Sequence, residues 1–413
     1  MRGKNQKLVK KKRAKTMAAN VARQAMLNAM ERRTVLAATL AMGGGQAAMA
    51  QSPTLAPALK ADALRALHGC VNAAIAARRL PGAVLWVERL GSEPNARVFG
   101  QRAWEPAAEG LALDAVFDAA SLTKPVVTGT LCMRLIEQGL LQLDAPVQAL
   151  FKDFAGGEAI SWRHLLTHSS GLPAILPLTP VWSGAGSAHA LVLAAQATHA
   201  PGTHFRYSDI NYILLGAMLE RMGGAPLAEL AQREVFKPLA MTDSGYLPLQ
   251  RHTPARLVPT EFDGAHMLRG EVHDPVARRM GEVAGHAGMF STAADLARFA
   301  RAMLSGGELD GMRVLSRDSV RLMTRNASPA GLAPRGIGWD IDSPYSRLRG
   351  SVYPVGGFGH TGFTGCAMWL DPGSLSFYVF LSNRVHPRGS ESIVALYEEI
   401  GTWAARAVGI VAQ

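Results

Sequence analysis

Beyond residue 50 this 413-residue chain has almost no lysine: Lys60, Lys124, Lys152 and Lys237 stand against 28 arginines. Net charge is just as unevenly spread. The formal +11 lies almost wholly in residues 1–50, which hold 11 Lys or Arg and one acid, Glu31; the rest carries 32 basic and 31 acidic groups. A body so close to neutral offers no basic surface to a phosphate backbone, so nucleic acid is excluded as a partner. Cysteine is scarce: Cys70, Cys132 and Cys366 are odd in number and lack paired spacing. They build no disulfide framework or zinc site and read as small buried apolar residues. No apolar run reaches the roughly 20 residues of a membrane helix, and no period of about 20 to 50 residues repeats.

What is present, 48% hydrophobic and 18% charged residues, suits a globular protein with a large core. Residues 1–50 read as an export leader: Arg32-Arg33, an uncharged run from Thr34, and Ala48-Met49-Ala50 as a small-residue cleavage site. Cleavage after Ala50 would leave a periplasmic or secreted protein without a stable membrane span. The paired arginines fit twin-arginine and general secretion equally. The basic stretch ahead of them is unusual for a leader and suggests that translation starts at Met30.

Periodicity predicts a helix over residues 58–77, strands at 82–88 and 97–100, helices at 126–138, 211–222 and 293–304, strands at 338–341, 364–370 and 376–381, and a closing helix at 391–408. Strands at both ends predict one α+β domain over 51–413. Its sheet comes from about 58–120 and 335–413 and takes a mostly helical insertion at about 126–306.

One of the four lysines lies in Ser121-Leu122-Thr123-Lys124. On a helix starting near Ser121, a spacing of three sets hydroxyl and amine on one face, within reach of a proton transfer. Pro125 fits a first turn, where its missing N–H costs nothing. Two further motifs sit at element boundaries, Tyr207-Ser208-Asp209 before an amphipathic helix and His360-Thr361-Gly362 before a strand run. With these, the chain resembles the beta-lactamase and penicillin-binding-protein family of serine hydrolases. The likeness extends over Trp162-Arg163-His164-Leu165-Leu166-Thr167-His168-Ser169-Ser170-Gly171-Leu172-Pro173 and Gly285-His286-Ala287-Gly288-Met289-Phe290-Ser291-Thr292, all in the family's order, and is strongest to the branch with class C beta-lactamases, D-alanyl carboxypeptidases and related esterases.

The resemblance implies that the sheet is antiparallel and flanked by helices, and that Ser121 is the acylated nucleophile, Lys124 its proton acceptor and Tyr207 a second base. It implies an oxyanion hole of the Ser121 and Phe363 backbone N–H groups, and Asp209, His360, Thr361 and Gly362 as substrate-binding positions. A lysine in that role must fall about three units from its reference value near 10.4, and burial, a helix N-terminus and a neighbouring cation would each lower it. The mechanism needs neither metal nor cofactor. Two departures matter: the family's third motif usually has lysine where His360 stands, and its second has asparagine where Asp209 stands. A neutral histidine and an added carboxylate disfavour substrates with a free carboxylate and favour neutral esters, unless Arg335 or Arg384 restores the clamp. With His360 neutral, activity should climb from pH 7 to 9 if the Tyr207 phenolate is the base. The expected partner is a small ester or amide; oligomeric state is unreadable.

Other readings compete. Gly357-Phe358-Gly359-His360-Thr361-Gly362 fits G-x-G-x-x-G but lacks the strand before and helix after that a dinucleotide turn requires. His164 and His168 could face one metal from a helix, yet no H-E-x-x-H follows, and loop anchoring suits them better. His273-Asp274 and His286 suggest a Ser-His-Asp set without any G-x-S-x-G elbow. Within the family, a D-amino-acid peptidase or carboxypeptidase and a weak beta-lactamase are the enzymatic alternatives. A non-catalytic exported binder or sensor of the cell wall is the alternative of another class.

Overall fold

The computed structural model describes residues 57–343, 347–389 and 391–411. The leader, its cleavage point and the Met30 start lie outside the described residues. The elements that position the site are helix α1 (Ala61–Ala76), strands β1 (Gly82–Arg89), β2 (Asn95–Ala103), β3 (Glu109–Gly110) and β4 (Phe117–Asp118), helices α2 (Thr130–Glu137), α3 (Trp162–Leu166), α4 (Asp209–Gly223) and α5 (Pro275–Arg279), strand β5 (Phe290–Ser291), helix α6 (Ala293–Leu304), strands β6 (Phe358–Gly362), β7 (Cys366–Asp371) and β8 (Ser376–Ser382), and helix α7 (Val394–Ala407).

Six strands form one antiparallel sheet in the order β6-β7-β8-β1-β2-β3, so the two ends of the chain meet where β1 pairs with β8. In register, Val84 faces Leu381 and Leu85 faces Phe380. Side chains alternate between faces with period two. Val84, Phe377, Val379 and Leu381 point into the core shared with the helical insertion, whereas Leu85, Val87, Tyr378 and Phe380 point into a second core under α1 and α7. All seven residues of β8 are buried, which is why the strand reads as an unbroken apolar run. In α1, Ala63, Leu67, Val71 and Ala74 make the inward stripe, spaced as a helix with one buried face demands. Helix α4 is buried on nearly all sides from Ile210 to Leu219 and forms the spine of the insertion.

The structure corrects one expectation. Residues 338–341 form no strand: Gly338 turns to φ 82°, and Asp340 meets the sheet through an isolated bridge to Gly359, with a second isolated bridge to Arg335 outside the sheet. His360-Thr361-Gly362 precedes a strand run as expected, through a hairpin to β7, and itself lies inside strand β6. That geometry also removes the dinucleotide reading. Among the described residues no helix is long and apolar enough to cross a membrane.

Candidate active site

The chain reaches Ser121 through a constrained turn. Asp118 Oδ1 accepts the Ala120 N–H at 2.8 Å, an aspartate gripping an amide two residues on. Ala120 stands at φ 46°, a left-handed conformation that costs a non-glycine residue about 1–3 kcal/mol. Surrounding bonds hold it there. Ala119 N–H donates to Met289 O at 2.9 Å, and Thr123 Oγ1 donates to Ala120 O at 2.6 Å while accepting Met289 N–H at 3.1 Å. Asp118 Oδ2 takes the His273 N–H at 2.8 Å; burial nonetheless raises its carboxyl above the ordinary range. Asp118 escaped the sequence reading, although an aspartate two residues before a tight turn was its signal.

From Ala120 a 3-10 turn runs into a π-helical stretch, Lys124–Gly129, and then into α2. Such π segments recur at functional sites. Ser121 and Lys124 share a face as the spacing predicted: Lys124 Nζ donates to Ser121 Oγ at 3.0 Å. It also donates to His286 O at 2.9 Å and pairs with Asp209 Oδ1 at 2.7 Å. Lys124 is fully buried, and these acceptors, with the Tyr207 hydroxyl beside them, satisfy the three donors of an ammonium. Burial pulls its pKa down, but the Asp209 carboxylate, followed by Tyr207, more than offsets this and leaves it above the ordinary lysine value. The expectation of a lysine lowered toward neutrality is thereby corrected: the carboxylate at 2.7 Å outweighs desolvation.

Tyr207 enters from the loop before α4. Its ring stacks on His168 with centroids 4.3 Å apart and lies 4.9 Å from Lys124 Nζ. Burial raises its hydroxyl above the usual tyrosine value; the Lys124 charge opposes this, Asp209 adds to it, and hydrogen bonds with Lys124 and Ser121 favour the phenolate. His168 fixes the loop by accepting Ser208 N–H on Nδ1 at 3.0 Å. Burial, then the charges of Arg335 and Lys124, hold its pKa well below the normal histidine value. His164 instead caps α3, its Nδ1 accepting Ser161 N–H at 3.1 Å. The two histidines thus anchor separate backbone segments.

On the opposite wall, His360 is only 2% exposed. Its Nδ1–H donates to Thr361 O at 2.7 Å, which in the neutral ring leaves Nε2 without a proton, and that atom is buried without a hydrogen-bond partner. Burial first, then Arg335 and Lys124, hold its pKa well below the ordinary value. Burial thus pushes this histidine further toward the uncharged form expected of it, but the ring lies beneath the cleft surface and not on it. Thr361 is half-buried, Gly362 buried and Phe363 63% exposed. A Cβ on Gly362 would sit 2.5 Å from Ala119 O, so only glycine lets this strand end approach the turn that leads into Ser121.

The two candidate arginines differ. Arg335 is 1% exposed, pairs with buried Asp340 at 3.6 Å and lies over the Phe205 ring, a position that favours it less as a clamp. Arg384 is half-buried at the site mouth, 4.7 Å over the exposed Phe363 ring. Asp274 caps α5 and meets His286 Nε2 at 2.9 Å. Ligand atoms of Asp209, Asp274 and His286 fall within 4.8 Å of one another, but the cation bonded to Asp209 and to the His286 carbonyl is the Lys124 ammonium.

A family profile described as Beta-lactamase matches residues 67–399. An Escherichia coli (strain K12) protein provisionally named a D-alanyl-D-alanine carboxypeptidase is 29% identical over 304 residues, 66% of this chain and 69% of its own. The N-acetylmuramyl-L-alanine amidase of Bacillus subtilis (strain 168) is 30% identical over 345 residues, covering 74% and 78%. Among solved structures, EstCE1, a hydrolase with promiscuous acyltransferase activity, superposes with a TM-score of 0.66 at 22% identity over 83% of this chain and 98% of its own.

Proposed function

The chain belongs to the beta-lactamase family, and from that premise we propose that it is a serine hydrolase that forms an acyl-enzyme on Ser121 and hydrolyses carboxylic esters. Ser121 Oγ attacks the carbonyl and its proton passes to Tyr207, present as phenolate in the reactive fraction of molecules; collapse of the tetrahedral intermediate then breaks the ester C–O bond, and the proton on Tyr207 passes to the departing alkoxide, which leaves as the alcohol. Lys124, held as a cation, donates to Oγ and to the developing charge around it. The Ser121 and Phe363 N–H groups stabilise the oxyanion, each such donor being worth about 3 kcal/mol. Water then releases the acyl group by the same steps reversed.

The observation that carries the ester preference is the charge balance of the cleft. Lys124 is neutralised by Asp209 at 2.7 Å, and His360 and His168 are held neutral. Among the described residues, no uncompensated cation therefore lies against Ser121 to attract a substrate carboxylate. Arg384, at the mouth, supports a second reading: hydrolysis of wall-related D-amino-acid amides with that arginine gripping the carboxylate, in keeping with the names of the two curated relatives. Export, as read from residues 1–50, would put either substrate outside the cytoplasm.

The deciding experiment is intact-mass analysis after fluorophosphonate treatment of the parent and Ser121→Ala, followed by parallel assays with a nitrophenyl ester, a D-alanyl peptide and a chromogenic cephalosporin. One label on the parent alone, with the ester turned over fastest, is the expected result. Labelling of neither protein favours a non-catalytic binder; labelling of both points to another serine.

A further inference from the structure

Asp209 does more in this geometry than line the cleft. Its side chain is 19% exposed, while the lysine it pairs with is wholly buried. Besides the Tyr207 hydroxyl, the ammonium bonds to an uncharged hydroxyl and a carbonyl, Ser121 Oγ and His286 O. Remaining ionisable neighbours come from every element around Lys124. Tyr207 precedes α4 and Tyr212 lies within it, their rings 4.9 and 5.6 Å from Nζ. Asp274, at the head of α5, feels the Lys124 charge but spends its Oδ1 on Ala277 N–H and His286 Nε2. His168 and His360 feel it too and are neutral. Asp209 is thus the carboxylate in direct contact with the ammonium.

We propose that Asp209 is a positioning residue that locks Lys124 as a permanent cation, assigning proton removal from Ser121 to Tyr207 and setting an alkaline pH dependence for the enzyme. This rests on the serine-hydrolase reading above. The pair acts on both bases in one direction, because the Asp209 charge also raises Tyr207. Replacing Asp209 by asparagine, which keeps the shape and removes the charge, lowers both groups.

The test uses the full chain labelled with [13Cε]lysine. The full chain has ten lysines, four of them beyond residue 50, and Lys124→Arg identifies the Lys124 signal by its disappearance. In the parent, Lys124 should stay charged to the alkaline limit of the titration. In Asp209→Asn its midpoint should drop by at least one unit, the pH profile of kcat/KM for a nitrophenyl ester should move acidward by a similar amount, and Asp209→Glu should restore the parent behaviour. A Lys124 midpoint that Asp209→Asn leaves in place, or an activity loss without movement of the pH profile, overturns the proposal. The NMR titration needs no turnover, so failure of the lock and failure of the hydrolase reading are seen separately.

Discussion

The two walls of the cleft are both buried and both built around basic residues, yet they treat charge in opposite ways. On the helical wall, Lys124 meets an acceptor with each of its three donors and a carboxylate at 2.7 Å. On the strand wall, Arg335 has an ion pair stretched to 3.6 Å and His360 keeps a buried ring nitrogen without a hydrogen bond. A fully bonded charge in a low-dielectric interior is held in one geometry, whereas an incompletely bonded group exerts a field without making a grip. On the proposed reading the helical wall carries the nucleophile and its bases, while the strand wall, with its buried histidine and its Phe363–Arg384 rim, adds an oxyanion donor and bears on which substrates the reaction reaches.

Removing the nucleophile should break the comparison most completely. Ser121→Ala should lower kcat by about 10⁴-fold or more, since residual activity then comes from binding and the oxyanion hole alone; steady-state ester hydrolysis measures it. If a substantial rate survived in a well-folded variant, the chemistry would not belong to the helical wall. Tyr207→Phe comes next, with an expected loss of about 10²- to 10⁴-fold. Its sign with pH is specific. Burial holds the Tyr207 hydroxyl above its ordinary value, so the reactive phenolate is a minor species at neutrality whose population grows about tenfold per pH unit below its pKa. The parent rate should climb from pH 7 to 9 without a plateau, and Tyr207→Phe should flatten the profile; a flat parent profile contradicts the assignment.

The helical wall was the more legible in sequence, and for a physical reason. Ser121 and Lys124 are three residues apart on one helical turn, so local geometry alone brings them together. Tyr207 and Asp209 sit at a helix start whose cap was equally readable. The lysine's charge state was not legible, because it depends on a contact between residues 85 positions apart in the chain. The strand wall was harder. Its motif lies in an edge strand whose partner is a later hairpin, and the burial of His360 and Arg335 is a property of packing that periodicity does not carry. Residues 338–341 misled for the same reason: their apolar pattern is real, since Trp339 is fully buried, but Gly338 at φ 82° packs its Cα side against Pro125 and denies them an extended run.

Arg384 sharpens the contrast between reaction and selection. If it grips carboxylates, Arg384→Ala should cut kcat/KM for a D-alanyl peptide relative to a neutral nitrophenyl ester by about 10-fold, the scale of one lost charged hydrogen bond of about 1.5 kcal/mol. An unaltered ratio would leave the ester reading without its rival.

The smallest effect probes where the two walls touch. Gly362 packs against the nucleophile turn so closely that an added Cβ would stand 2.5 Å from Ala119 O and 3.2 Å from Cys366 Cβ. Neither neighbour is the far end of a flexible side chain. In Gly362→Ala the end of β6 must therefore retreat, and the Phe363 N–H goes with it. Overpacking of this kind costs about 1–3 kcal/mol of stability, which a denaturant midpoint would show. If the retreat weakens an oxyanion donor without removing it, kcat should fall by roughly tenfold while KM moves little, because a donor aimed at the developing oxyanion acts in the transition state and not on the bound ester. A stability loss with kcat unchanged would mean that the Phe363 N–H does not serve the reaction. The strand wall would then act on substrate choice alone.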